Sequence, residues 1–354
     1  MVTRTVRVGL SIILAVALLA VFLANVDLAE VGRELARAHP GMIAASVAAS
    51  LFSYWLRALR WQFILRPAAR VRHSSALLAT ASGYAAMALL PARMGDVVRP
   101  LLLTRRERVP VSAALASVVT ERIFDLWTVI LFFLLFLVRP PVLAAADDGV
   151  RSNLQALAHS GWFVGAGLVA GTAVLVALLR FQEKFIDMLT APIGRIRPSW
   201  REPISGFLRH FLDGLRVVSR PRDLAITLSV SIAMWYVIFW QVQFSLWAVE
   251  IDLPLRASYL LVTLAVIGLA VPTPGGVGGF HAATKYGLTT FFGVADAAAA
   301  GAAILYHAVS FVPITILGLL CLPAFGVRLR EVDEIAVPPD DTSRTIAREE
   351  GAER

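Results

Sequence analysis

Several stretches of this chain run for about 18 residues or more almost free of charge, and nothing else constrains the fold as strongly. As a helix, such a run crosses roughly 30 Å of hydrocarbon, because each residue adds about 1.5 Å. No water reaches the backbone there, so peptide groups must bond within their own segment or around a closed barrel. A β-barrel would read as alternating polar and apolar positions, whereas these runs are continuous. The chain is therefore expected to be all-α, a polytopic helical integral membrane protein. Its 354 residues are 58% hydrophobic and 16% charged, with no room for a second large soluble domain. The net charge of +8 comes from basic residues beside the spans, which suits a membrane surface rather than nucleic acid. A single cysteine, Cys321, excludes a disulfide within the chain.

Strong apolar runs fall at about 8–26, 42–59, 113–138, 162–179, 224–249 and 297–322, with weaker ones at 74–91 and 258–271. The first follows Arg4 and Arg7 without a cleavage signature and is expected to remain as an anchor. Positive charge in short loops marks the cytoplasmic side. Segment 57–73 carries Arg57, Arg60, Arg66, Arg70 and Arg72 and no acid. The segment after 74–91 is also basic, so both of its flanks belong on one side. A stretch that enters and returns meets that requirement. The loop 180–223, with nine basic residues against five acids, then falls inside. Continuing along the chain, 258–292 becomes a second hairpin entering from the outer face. The expected architecture is six full spans plus two oppositely directed re-entrant hairpins; eight full spans is the alternative. Within 180–223, an apolar face from Ile204 to Val218 predicts a helix lying on the inner leaflet, with docking against the protein as the alternative. Residues 1–327 form the membrane domain, and 328–354 read as a disordered cytoplasmic tail.

Ionisable side chains recur at matched places in the two halves. Asp96 and Arg122 stand 26 positions apart, and so do His281 and His307. Each pair opens just after glycine: Gly95 in one case, the Gly275–Gly279 run in the other. Each ends inside a long apolar helix. Ionisable groups at membrane depth are costly and mark functional sites. Broken hydrophobic segments at matching positions point to a transporter's central site. Arg122 lies near the bilayer midplane and can pair with Asp125 three residues on, while Glu121 is free to partner another segment. Arg99 and Arg122 are candidates for gripping a phosphate, since a guanidinium donates paired hydrogen bonds. Gly275, Gly276 and Gly278, between prolines and a helix start, could offer backbone amides to the same anion. Asp96, Glu121 and Asp125 would orient the arginines, and His281 and His307 would couple to protonation. A tight turn, a charge cluster that only locks helices, and a satisfied core histidine are the structural alternatives. No metal-ligand spacing or cofactor motif is present in the sequence.

At these residues the chain resembles the transmembrane, flippase-like domain of lysylphosphatidylglycerol synthases and its stand-alone relatives. The resemblance rests on Arg57-Ala58-Leu59-Arg60-Trp61, Gly95-Asp96-Val97-Val98-Arg99, Glu121-Arg122-Ile123-Phe124-Asp125 and the Pro272–Gly278 run. It spans roughly residues 7–328. It implies a protein of the bacterial inner membrane, with both termini cytoplasmic by the charge rule, that handles an anionic or glycosylated lipid. Asp96 stands where the family usually has Glu, and His281 and His307 stand where it usually has Glu and Arg. The cytosolic aminoacyl-transferase domain is absent from this sequence, so the chain is not expected to make a lysyl-lipid by itself.

The leading expectation is a lipid flippase or translocator, not an enzyme, needing no cofactor and partnered by lipids with anionic headgroups. One alternative is a membrane-embedded phosphoryl or glycosyl transferase using a carboxylate base and an arginine clamp. The other is a non-transporting scaffold for a separately encoded lipid-modifying enzyme.

Overall fold

The computed structural model describes residues 4–23, 27–90, 94–138 and 148–326, and among these it is entirely helical. Helix α1 (Arg4–Leu23) leads to a short α2 (Leu28–Arg37) and then to α3 (Pro40–Leu65). The pair α4 (His73–Leu89) and α5 (Gly95–Arg106) precedes the long α6 (Val111–Val138) and α7 (Asp148–Arg180). Two surface helices follow, α8 (Gln182–Ile196) and α9 (Pro198–Leu215), and then α10 (Pro221–Ala248). The second pair is α11 (Leu255–Gly268) and α12 (Gly279–Phe292), and α13 (Asp296–Cys321) closes the bundle.

Length sorts these helices into two classes. α1, α3, α6, α7, α10 and α13 have 20, 26, 28, 33, 28 and 26 residues, enough for a crossing of about 30 Å. α4, α5, α11 and α12 have 17, 12, 14 and 14, which gives roughly 18–26 Å and falls short. Among the described residues α3, α7, α10 and α13 are both long and apolar enough to cross, and the four short helices pair as two helical hairpins.

Glycine makes both hairpins tight. In the first, a side chain at Gly95 would collide with the Gly83 carbonyl and Met87, and one at Gly83 would collide with Arg99. In the second, Gly268 and Gly279 meet backbone to backbone. Removing Cβ lets helix axes approach until dispersion contacts between backbones hold them together.

α13 is the mast against which both hairpins are set. α4 lies along its C-terminal half, where Gly318 presses on Ala81 and Ala85 and Ser82 donates to the Gly318 carbonyl at 3.2 Å. α12 lies along its N-terminal half, from His281 beside His307 to Lys285, whose Nζ is 2.5 Å from Asp296. The two hairpins thus approach the middle of α13 from opposite ends. Their tips meet there, with Gly275 against Ala88. α3 and α10 brace the far side through Ser46, whose hydroxyl is 2.9 Å from both the Gln241 carbonyl and the Ser245 hydroxyl.

Two expectations are corrected. The second span does not end near residue 59: α3 runs on to Leu65 and carries Arg57 and Arg60 into the interior. The helix expected on the inner leaflet is α9, and it docks on the protein. Leu212 and Leu215 are buried with Ala116, Leu175 and Ile186, and Gly214 sits against Ala113. The expected tail at 328–354 and the start of the loop after α6 lie outside the described residues.

Gly95→Val and Gly279→Val are each expected to cost about 1–3 kcal/mol by wedging a hairpin open. Thermal unfolding in detergent measures this. Gly167→Val and Gly171→Val, whose surroundings are open, serve as controls that should change little. In a Cys321→Ser background, single cysteines at exposed Arg105 and Asp252 are expected to be labelled from opposite faces of sealed vesicles. A cysteine at exposed Arg70 should share the face of Arg105, and labelling of those two from opposite faces would contradict the hairpin arrangement.

Candidate functional site

Arg57 and Arg60 are three positions apart on α3, so they share one face and point together into the bundle. α6 answers with Glu121 and Asp125, four apart on its own inner face. Arg60 reaches both acids: Nη1 is 2.7 Å from Asp125 Oδ1, and Nη2 is 3.1 Å from Glu121 Oε1. Arg57 Nη1 lies 3.3 Å from Glu121 and 3.5 Å from Asp125. From α5, Arg99 grips Glu121 with both terminal nitrogens, at 2.6 and 3.3 Å. Its guanidinium lies 4.3 Å above the Trp61 ring, and Trp61 donates to Ser117 at 2.8 Å. Arg122 contacts Asp125 at 3.2 Å, Asp96 at 3.2 Å and Glu121 at 3.5 Å.

Four guanidiniums and three carboxylates thus form one network. Each ion is costly to desolvate, and multiple partners offset that cost. Glu121 is fully buried and touched by all four arginines. The network ties α3, α5 and α6 together at the level of the hairpin tips.

One side of the network opens on a cavity of about 390 Å³. Arg57, Arg122 and Asp125 form its charged base. Trp235 stands beside them and donates to Asp125 at 3.2 Å. The neutral polar lining includes Ser50, Ser53, Tyr54, Gln241 and Ser310. The remaining walls are apolar, with Leu126, Val129, Val262, Leu269, Phe280 and Phe311 among them. The Nε atoms of Arg57 and Arg122 are buried without a hydrogen-bond partner. The same holds for the Nε atoms of Arg60 and Arg99 behind the cavity. A charged floor under greasy walls suits an amphiphile with a negative head.

The second hairpin supplies the facing wall. Gly275, Gly276 and Gly278 sit at φ of 59°, 68° and 88°, a region that residues with side chains rarely adopt. The His307 Nε2 donates to the Gly275 carbonyl at 2.8 Å, and His281 Nδ1 accepts from the Gly278 N–H at 3.3 Å. The two imidazoles lie 4.4 Å apart, centroid to centroid. They pin the loop in place.

A family model for the lysylphosphatidylglycerol synthase TM region matches residues 8–318. The chain belongs to that family. A relative, the glycosyltransferase AglD of Haloferax volcanii, is 28% identical over 371 aligned residues. The alignment covers 98% of this chain and 59% of AglD, so the chain spans less than two-thirds of that relative.

Within this member of the lysylphosphatidylglycerol synthase TM region family, the matched spacings are contacts: Asp96 meets Arg122, and His281 meets His307. The expected pairing of Arg122 with Asp125 is present. Four placements differ from expectation. Arg99 was expected to hold a headgroup, but it is 1% exposed and lies one layer behind the cavity, committed to Glu121. Gly278 turns away from the cavity toward Leu18 and Leu19 of α1. The amides of Gly276, Val277 and Gly278 are already donated to Thr273, Pro274 and His281, so that part of the loop is not an open anion nest. Gly275 and Gly276 do line the cavity, as bare backbone. Finally, Arg57 and Arg60 are central although sequence placed them in a loop. Two arginines on one helical face, at the end of an apolar run with no break after them, were the available signal.

Glu121→Ala is expected to cost about 3–5 kcal/mol, because it strands several buried guanidiniums. Asp96→Asn, at the wetter edge, should cost about 1 kcal/mol or less. Unfolding curves for both variants in one detergent make the comparison.

Proposed function

We propose that this protein is a lipid translocator of the plasma membrane, with both termini cytoplasmic, that binds an anionic or glycosylated lipid headgroup in the central cavity. The carrying observation is the pair Arg57 and Arg122 at the floor of an apolar-walled cavity where two opposed hairpins meet. Their guanidiniums line the cavity and supply donors for phosphate oxygens, and their charge stabilises the anion in a low-dielectric site. Arg60, Arg99 and Glu121 hold that floor from behind. Asp96 and Asp125 fix the Arg122 fork. His281 and His307 hold the Gly275 wall and are the groups through which protonation would loosen it. Acyl or isoprenoid chains lie against the apolar walls while the headgroup crosses between the hairpin tips.

A second reading is transfer of a glycosyl or phosphoryl group, favoured by the name of the AglD relative. Against it, the one carboxylate lining the cavity among the described residues is Asp125, and Arg57, Arg60 and Arg122 crowd it. A carboxylate so engaged is a poor general base.

Reconstituted into vesicles with a fluorescent anionic lipid, the protein is expected to speed exchange between leaflets. Arg122→Ala and Arg57→Ala should each slow it by about tenfold or more. Equal rates for wild type and both variants would overturn translocation through this cavity. Product formed from a polyprenyl-phosphate sugar in detergent, without exchange in vesicles, would favour the transferase.

A further inference from the structure

The charge on the cavity's network is fixed by its members. Arg57, Arg60, Arg99 and Arg122 face Asp96, Glu121 and Asp125, four cations against three anions, which leaves one positive charge among the described residues. A phosphodiester carries one negative charge and neutralises it. A phosphomonoester brings about −1.5 to −2 and overshoots, which recreates an unpaired charge at membrane depth.

The wall also lacks a place for a cation. Asp125 is its only acid among the described residues, and the nearest atoms of Arg57, Arg60 and Arg122 stand 3.5, 2.7 and 3.2 Å from it. An ammonium brought to that carboxylate meets three guanidiniums, and like charges in apposition cost several kcal/mol. What remains beside the arginines is neutral. Ser50, Ser53, Ser310 and Gln241 line the same cavity, as does Trp235. Gln241 donates to Ser310 at 2.7 Å, and Tyr54 donates to the Ser310 carbonyl at 3.2 Å. Ser53 and Ser310 spend their hydroxyl hydrogens on the Ser50 and Tyr306 carbonyls, so what they keep for a ligand's hydroxyl groups is acceptor lone pairs.

We propose that the cavity selects lipid phosphodiesters whose esterified group is an uncharged polyol, a glycerol or a sugar, and discriminates against headgroups that carry an ammonium. This rests on the lipid-binding reading above and narrows it. Although the family is named for a lysylated lipid, a lysyl headgroup is what this wall disfavours.

The test is a ranking of lipids on the full chain in nanodiscs, by competition against fluorescent phosphatidylglycerol. The competitors are phosphatidylglycerol, a polyprenyl-phosphate hexose, lysylphosphatidylglycerol, phosphatidylethanolamine and phosphatidic acid. The first two are expected to compete best, and whichever leads tells glycerol from sugar. The two amine-bearing lipids should bind at least about tenfold more weakly, and phosphatidic acid no more tightly than phosphatidylglycerol. Lysylphosphatidylglycerol or phosphatidic acid matching or beating phosphatidylglycerol would overturn the selectivity while leaving lipid binding intact. Absence of saturable binding by any of them would overturn the lipid reading itself. Asp125→Asn raises the surplus to two charges and is expected to move preference toward phosphatidic acid by about tenfold. An unchanged ranking in a folded Asp125→Asn variant would count against the charge argument. The wild-type series does not depend on that variant.

Discussion

A single carboxylate, Glu121, sets the terms for the centre of this molecule. It is fully buried in a segment that crosses hydrocarbon, and an ionised group there is tolerated only with several partners. Arg99 supplies a forked pair, Arg60 and Arg57 come from α3, and Arg122 from its own helix. Because those arginines sit on different helices, satisfying Glu121 fixes how α3, α5 and α6 assemble. The same network then presents Arg57 and Arg122 to the cavity with their orientation already decided. Much of the ordering entropy that ligand binding would otherwise cost is met in folding.

The hairpins add the second constraint. Each is built from helices shorter than a full crossing, and backbone that ends at membrane depth must be buried in protein. Glycine contacts seal each hairpin internally, and α13 seals both externally. At the tips each half pairs its own polar groups: Asp96 with Arg122 in the first, and His281 with His307 in the second. The halves are alike in layout and unlike in chemistry. One is ionic and carries the charge; the other is a pair of imidazoles latched to a glycine loop.

Much of this layout was legible in the chain itself. An all-helical membrane bundle with two pairs of short helices followed from run length and from where the runs break, since hydrocarbon thickness leaves few arrangements. The equal 26-residue spacings did become contacts, because each crosses one short helix, one turn and half a long helix. Reading failed at boundaries. Arg57 and Arg60 looked like loop residues because hydropathy falls at an arginine whether it faces water or a buried carboxylate. Arg99 looked available for ligand because a sequence does not reveal that Glu121 has claimed it.

The sequence alone therefore determined the class of protein and the residues that had to be reconciled with hydrocarbon. Those follow from solvation, which acts on each segment separately. Only the tertiary structure decided which of the charges neutralise one another and which line the cavity. It also decided that the glycine loop offers bare backbone there, its amides largely spent within the loop. Pairing depends on distances between helices that are remote in the chain, and no local property of a segment encodes them.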